Sequence, residues 1–178
     1  MECYREYPRA VGALTGILAV VYLLAGLTLL LGLNRWAALG FALLFLAVHL
    51  WDYPHHACKN CYYRGRLCIS FKGKWAAIVL GRGDEAAFPR GMKRAMKGVY
   101  VVWVYPFITL IIAQIYWQPV KLNDLLLAAI LIALMLMRQL MRKSLGCRSC
   151  MMREVCPNVG PDRRRGVKVR AESPAGSR

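Results

Sequence analysis

Residues 10–33 read AVGALTGILAVVYLLAGLTLLLGL, 24 positions without a charged side chain. A helix needs about 20 apolar residues to cross the hydrocarbon of a bilayer. This stretch therefore predicts a membrane-spanning helix, and the rest of the chain is read around it. Val99–Val120 is uncharged over 22 positions and Leu125–Met137 over 13, with the apolar run continuing past Arg138.

The predicted spans are Arg9–Gly32, Trp36–Trp51, Val99–Trp117 and Leu122–Arg142. Trp36 and Trp51 bracket the short second span, as interfacial aromatic belts do. Pro106 predicts a kink in the third, because its ring removes a donor and crowds the preceding turn. The links at Asn34-Arg35 and Gln118–Lys121 are short. The expected fold is all-α: a polytopic membrane protein of four transmembrane helices in two hairpins, with a small cytoplasmic Cys-rich, metal-stapled cap. The expected divisions are a first hairpin at 1–51, a loop with an interfacial helix at 52–98, a second hairpin at 99–142, a cysteine segment at 143–161 and a disordered basic tail at 162–178. A large water-soluble catalytic domain is excluded, since no polar segment is long enough to bury its own core. The first span carries no A-x-A-like site after it and reads as a retained span, not a cleaved signal.

The chain is 58% apolar by the broad count, yet it holds 25 Lys+Arg against 9 Asp+Glu, a formal charge of +16. Of the 25 basic residues, 23 lie in the N-terminal tip, the middle loop and the segment from Arg138 onward; only Arg35 and Lys121 lie in the other links. The positive-inside rule then places both termini and the middle loop in the cytoplasm, in a bacterial or archaeal plasma membrane. The charge reads as topology signal and as attraction to the lipid bilayer and its anionic lipid headgroups. No nucleic acid is expected as a partner, because no recognition module accompanies the charge.

Six of the seven cysteines form two triplets. Cys58, Cys61 and Cys68 follow the second span as C-x2-C-x6-C; Cys147, Cys150 and Cys156 follow the fourth as C-x2-C-x5-C-P. Cys3 stands apart. Each triplet lies just beyond the same end of a span, so the topology brings them to one membrane face. A C-x2-C pair lets two thiolates grip one metal from a tight turn. Gly65 and Gly146 are the residues expected to give those turns their freedom. Disulfides are rare in the cytosol.

Structural zinc takes four Cys or His ligands; iron–sulfur clusters usually take four cysteines. Six cysteines permit one four-cysteine site or two three-cysteine sites, each needing a fourth ligand, and His55 or His56 could complete one. The expected metal ligands are therefore drawn from Cys58, Cys61, Cys68, Cys147, Cys150, Cys156, His55 and His56, with an iron–sulfur cluster or Zn as cofactor. A metal-free redox thiol site is the remaining reading.

The spacing of Cys147, Cys150 and Cys156 resembles three of the four ligand positions in iron–sulfur DNA glycosylases, RecB-like nucleases and SPASM segments of radical enzymes. That resemblance covers ten residues and implies an iron–sulfur ligand set. In span count and C-x2-C content the chain also resembles bacterial disulfide-generating thiol oxidases and vitamin K epoxide reductases. In the thiol oxidase the working cysteines sit in the outer loops; here those links contain none.

His49, within the second span, is expected to hydrogen-bond Asp52 one helical step away; the alternative is that the pair takes protons at a quinone pocket beside a cluster. Gly12-x3-Gly16 fits close helix packing, and Gln114 an interhelical hydrogen bond. Lys74–Leu80 is too short to span and reads as an interfacial segment anchored by Phe71 and Trp75. No H-E-x-x-H, nucleophile elbow or pair of catalytic carboxylates is present. The expected function is that of an electron-transfer or accessory subunit in a membrane redox complex, with protein partner subunits. The alternative is a zinc-binding scaffold or docking protein without redox activity.

Overall fold

Asn34 ends one helix and begins the next. Its N–H donates to Leu30 O at 2.7 Å, closing the first helix. Its Oδ1 then accepts the N–H groups of Trp36 and Ala37 at 2.8 and 3.4 Å, capping the second. The computed structural model describes residues 4–116, 121–147 and 150–157. Cys3, Trp117 and the expected tail lie outside the described residues. The described residues are 78% helical, with no strand among them.

The elements run in order as α1 (Arg9–Leu33), α2 (Arg35–Leu46), α3 (Tyr53–His56), α4 (Lys72–Val79), α5 (Phe88–Tyr116) and α6 (Leu122–Met141). A π-helical segment, Ala47–Asp52, joins α2 to α3, and a second, Arg142–Gly146, extends α6. Four stretches are long and apolar enough to cross a membrane: Arg9–Leu33, Arg35–Asn60, Glu85–Tyr116 and Leu122–Gly146. The second is therefore longer than the predicted Trp36–Trp51, because the π segment carries the helix on towards the cysteines. The third begins earlier than Val99, since α5 crosses position 98 without a break. It also runs on through the buried Pro106.

Helix α1 is the hub, packed most extensively against α2 and α6 and less so against α5. Helix α6 lies chiefly against α1 and touches its chain neighbour α5 only lightly. Tyr22, Leu29, Leu30, Phe41, Val102 and Leu131 are fully buried at the centre. In a bilayer the lipid tails are as apolar as these side chains, so close contact rather than dehydration holds such a centre. Gly26 shows this: a Cβ there would stand 2.6 Å from the Phe41 ring. Gly12 has a comparable role, but not between helices. Its missing side chain leaves room for the Phe71 ring, while Gly16 meets nothing. Within the described chain the pair does not pack against another helix. Gln114 is exposed.

Helix α4 forms at the segment read as interfacial, with Phe71, Trp75, Ile78 and Val79 exposed. Trp75 Nε1 donates to Leu50 O at 2.9 Å, tying α4 to the end of the second span. Arg64 Nη2 donates to Leu80 O at 2.6 Å, placing its charge at the carbonyl end of α4 where the helix dipole favours it.

The cysteine-bearing end has an apolar cluster of its own. Ala57, Phe88, Met92, Ala95, Met96, Met152 and Cys156 pack together there. The first turns of α5 supply most of this cluster. Basic residues such as Lys93 occupy the exposed side of the same turns.

Candidate functional site

Helix α3 delivers the first triplet. Ala57 N–H donates to Tyr53 O at 2.9 Å, and a tight turn follows in which Cys61 N–H donates to Cys58 O at 3.2 Å. Gly65 then takes φ +79°, the left-handed region that a Cβ disfavours. Its N–H donates to Gly73 O at 2.9 Å, folding the loop back onto α4. Gly73 N–H in turn donates to Cys68 Sγ at 3.3 Å. A Cβ on Gly73 would lie 2.2 Å from Tyr63 O and 2.8 Å from Arg66 O, so only glycine fits that approach.

The π extension of α6 delivers Cys147, and Arg153 N–H donates to Cys150 O at 3.1 Å in the turn beyond. Gly146 differs from the expectation. It has no positive φ, and its lack of a side chain instead admits Ile69, whose Cδ1 would lie 2.5 Å from a Cβ.

All six triplet cysteines are thiols, and all six line one cavity of about 110 Å³. Cys58 and Cys156 are buried; the other four are partly exposed. Burial pushes the Cys61 thiol up from 9.0 to about 12, and the nearby Cys150, Cys68 and Cys156 add to the rise. The thiols of the two triplets thus lie within electrostatic reach of each other. Among the described residues, no three His, Cys, Asp or Glu side chains stand close enough together to hold a metal ion. The thiols border a space rather than converge on a point.

Tyrosine hydroxyls hold the walls of this space, a feature that the sequence analysis missed. Tyr7 N–H donates to Leu67 O at 3.0 Å, and its hydroxyl donates to Gly146 O at 2.5 Å. Tyr63 OH donates to Tyr4 O at 2.7 Å and accepts Met151 N–H at 3.1 Å. The rings of Tyr4, Tyr7 and Tyr63 form a row with 5.4 Å between successive centroids. Burial, followed by the Cys150 thiol, holds the Tyr7 hydroxyl well above its ordinary pKa, so it remains a donor. The visible signal was a Tyr-rich tip beside a Tyr-Tyr pair between cysteines.

His55 and His56 do not border the thiol cavity. They line a separate cleft with Lys59, Asp84, Arg90 and Arg94. His56 Nε2 faces Asp52 at 3.5 Å, and His55 Nε2 lies 3.5 Å from Lys59 Nζ. His49 does not bond Asp52 either. Its Nδ1 donates to Phe45 O at 3.2 Å, and its ring stacks on Phe45. The physical reason is the π turn, whose wider winding rotates residue 52 off the face of residue 49.

A second cavity, of about 90 Å³, adjoins the thiol cavity and is lined by Lys72, Arg138 and Arg142 among others. Burial pulls the Lys72 amine down from 10.5 to about 8, although the Cys58 thiol works the other way. Lys72 Nζ lies 4.2 Å from the Tyr53 ring centroid, a cation–π contact.

Searches of protein-family models, curated proteins and solved structures found no match to this chain.

Proposed function

We propose that this chain is an integral membrane protein with both termini in the cytoplasm, built from two helical hairpins, whose cysteine centre binds metal. Six thiols around one cavity is the observation that carries the reading. An iron–sulfur cluster is the favoured occupant. Cysteine thiolates are its usual ligands, and hydrogen bonds to sulfur such as that from Gly73 N–H to Cys68 Sγ tune its potential. Four of the six cysteines would hold one such cluster, and the placement of His55 and His56 speaks against a histidine ligand. At the membrane surface the centre would pass electrons between a cytoplasmic donor and the membrane, as a subunit of a larger redox complex.

Zinc is the second reading. It is favoured by the way the cavity joins the N-terminal tip, the first triplet and the second triplet, segments far apart in the chain. A metal there would staple a docking platform together.

Anaerobic purification in mild detergent, followed by metal analysis and a visible spectrum, tests both. Brown protein containing iron and sulfide supports the cluster. Colourless protein with stoichiometric zinc supports the staple. Metal-free protein in which all six thiols react with maleimide would sink both readings.

A further inference from the structure

The cavity beside the thiols has an unusual inventory. Lys72 enters from α4, Arg138 from α6 and Arg142 from the π segment, and no carboxylate among the described residues lines the space. Three buried nitrogens on its lining residues find no hydrogen-bond partner among the described residues: His49 Nε2, Trp103 Nε1 and Arg138 Nη1. His49 and Trp103 are only 6% and 3% exposed. An unmatched buried polar atom is costly, and one such atom calls for an explanation. Three of them around one space lined by three cations call for a ligand that is anionic and rich in acceptors.

The tautomer of His49 narrows the choice. Its Nδ1 faces the Phe45 carbonyl, which can only accept, so Nδ1 carries the proton. In the neutral ring Nε2 is then an acceptor. The ligand must therefore accept from Arg138 and Trp103 and also donate to His49. A singly protonated phosphate does both, through its P–O⁻ and P–OH groups. Sulfate has no proton at neutral pH, and a phosphodiester has no P–OH.

We propose that this cavity binds a terminal phosphate group, carried either by a phosphomonoester lipid headgroup or by free inorganic phosphate. The cavity lies between α1, α5, α6 and the start of α4, beside the cysteine-bearing end. The reading does not depend on a metal, since Arg138 and His49 do not border the thiol cavity.

The test uses the full chain in phosphatidylcholine nanodiscs. One arm adds phosphatidic acid to the bilayer and is read by native mass spectrometry. The other adds inorganic phosphate to the buffer and is read by calorimetry. Selective retention of phosphatidic acid assigns the headgroup; binding of inorganic phosphate assigns the free ion. Arg138→Gln and His49→Phe should each weaken the binding arm by about tenfold or more, the effect of losing one hydrogen bond to a charged group. Lys93→Gln, which removes an exposed cation, should bind like the parent protein. Metal content is measured in every variant and should not change, which separates this result from the fate of the thiol centre. No binding in either arm overturns the proposal. So does equal binding by parent, Arg138→Gln and His49→Phe, or equal affinity for sulfate and phosphatidylglycerol.

Discussion

The Tyr63 hydroxyl accepts the backbone N–H of Met151 at 3.1 Å, joining the two cysteine triplets across 88 residues of chain. The same hydroxyl donates to Tyr4 O, so one side chain ties the N-terminal tip, the middle loop and the last segment together. The triplets are thus joined by ordinary hydrogen bonds.

Tyr63→Phe removes that hydroxyl and leaves the ring. Two part-buried backbone groups lose their partner, at a cost of about 0.5–1.5 kcal/mol. The expected result is a lower melting temperature in detergent and faster alkylation of Cys150. Unchanged alkylation would show that the hydroxyl does not hold the triplets together.

Gly73→Ala tests the fold-back of the first triplet. The added methyl would meet two backbone carbonyls, neither of which can swing aside as a side chain does. Overpacking of this kind costs about 1–3 kcal/mol or more. Cys68 should lose its N–H···S bond and become more reactive toward maleimide, while Cys156, in the other triplet, keeps its parent rate.

The buried Lys72 amine gives a pH signature. With its pKa lowered from 10.5 to about 8, it binds fewer protons in the folded than in the unfolded chain between those values. Stability contributed by this group therefore rises as pH climbs from about 8 toward 10.5, and below about 8 the full penalty of burying the charge applies. Lys72→Met should raise the melting temperature at neutral pH and flatten this rise. Thermal unfolding of both proteins across that window reads the difference.

Topology is open to a direct check. Leu122 is exposed at one end of the bundle, and Lys93 is exposed near the cysteine-bearing end. Leu122→Cys should react with an impermeant maleimide in intact cells. Lys93→Cys should react only after permeabilisation. The reverse pattern would place the thiol cavity outside the cell and return disulfides to contention.

The four helices were legible in the sequence because crossing a bilayer imposes a length and a composition that a linear string displays. Uncharged runs such as 10–33 satisfy that demand without reference to any neighbour. The gathering of Cys58, Cys61, Cys68, Cys147, Cys150 and Cys156 around one cavity was expected on the same logic, since each triplet follows the end of an apolar run. What the string could not display was winding and contact. Only the tertiary structure put His55 and His56 in another cleft, because the π turn at Ala47–Asp52 sets which way the following side chains face. Only contact across the bundle revealed the Tyr7 and Tyr63 hydrogen bonds, whose partners are backbone groups that carry no side-chain signal. The basic residues mark the sharpest division. As a count along the chain, they carry only an expectation of orientation. Lys72, Arg138 and Arg142 acquire a chemical meaning only where folding encloses them around one space with no carboxylate to balance them.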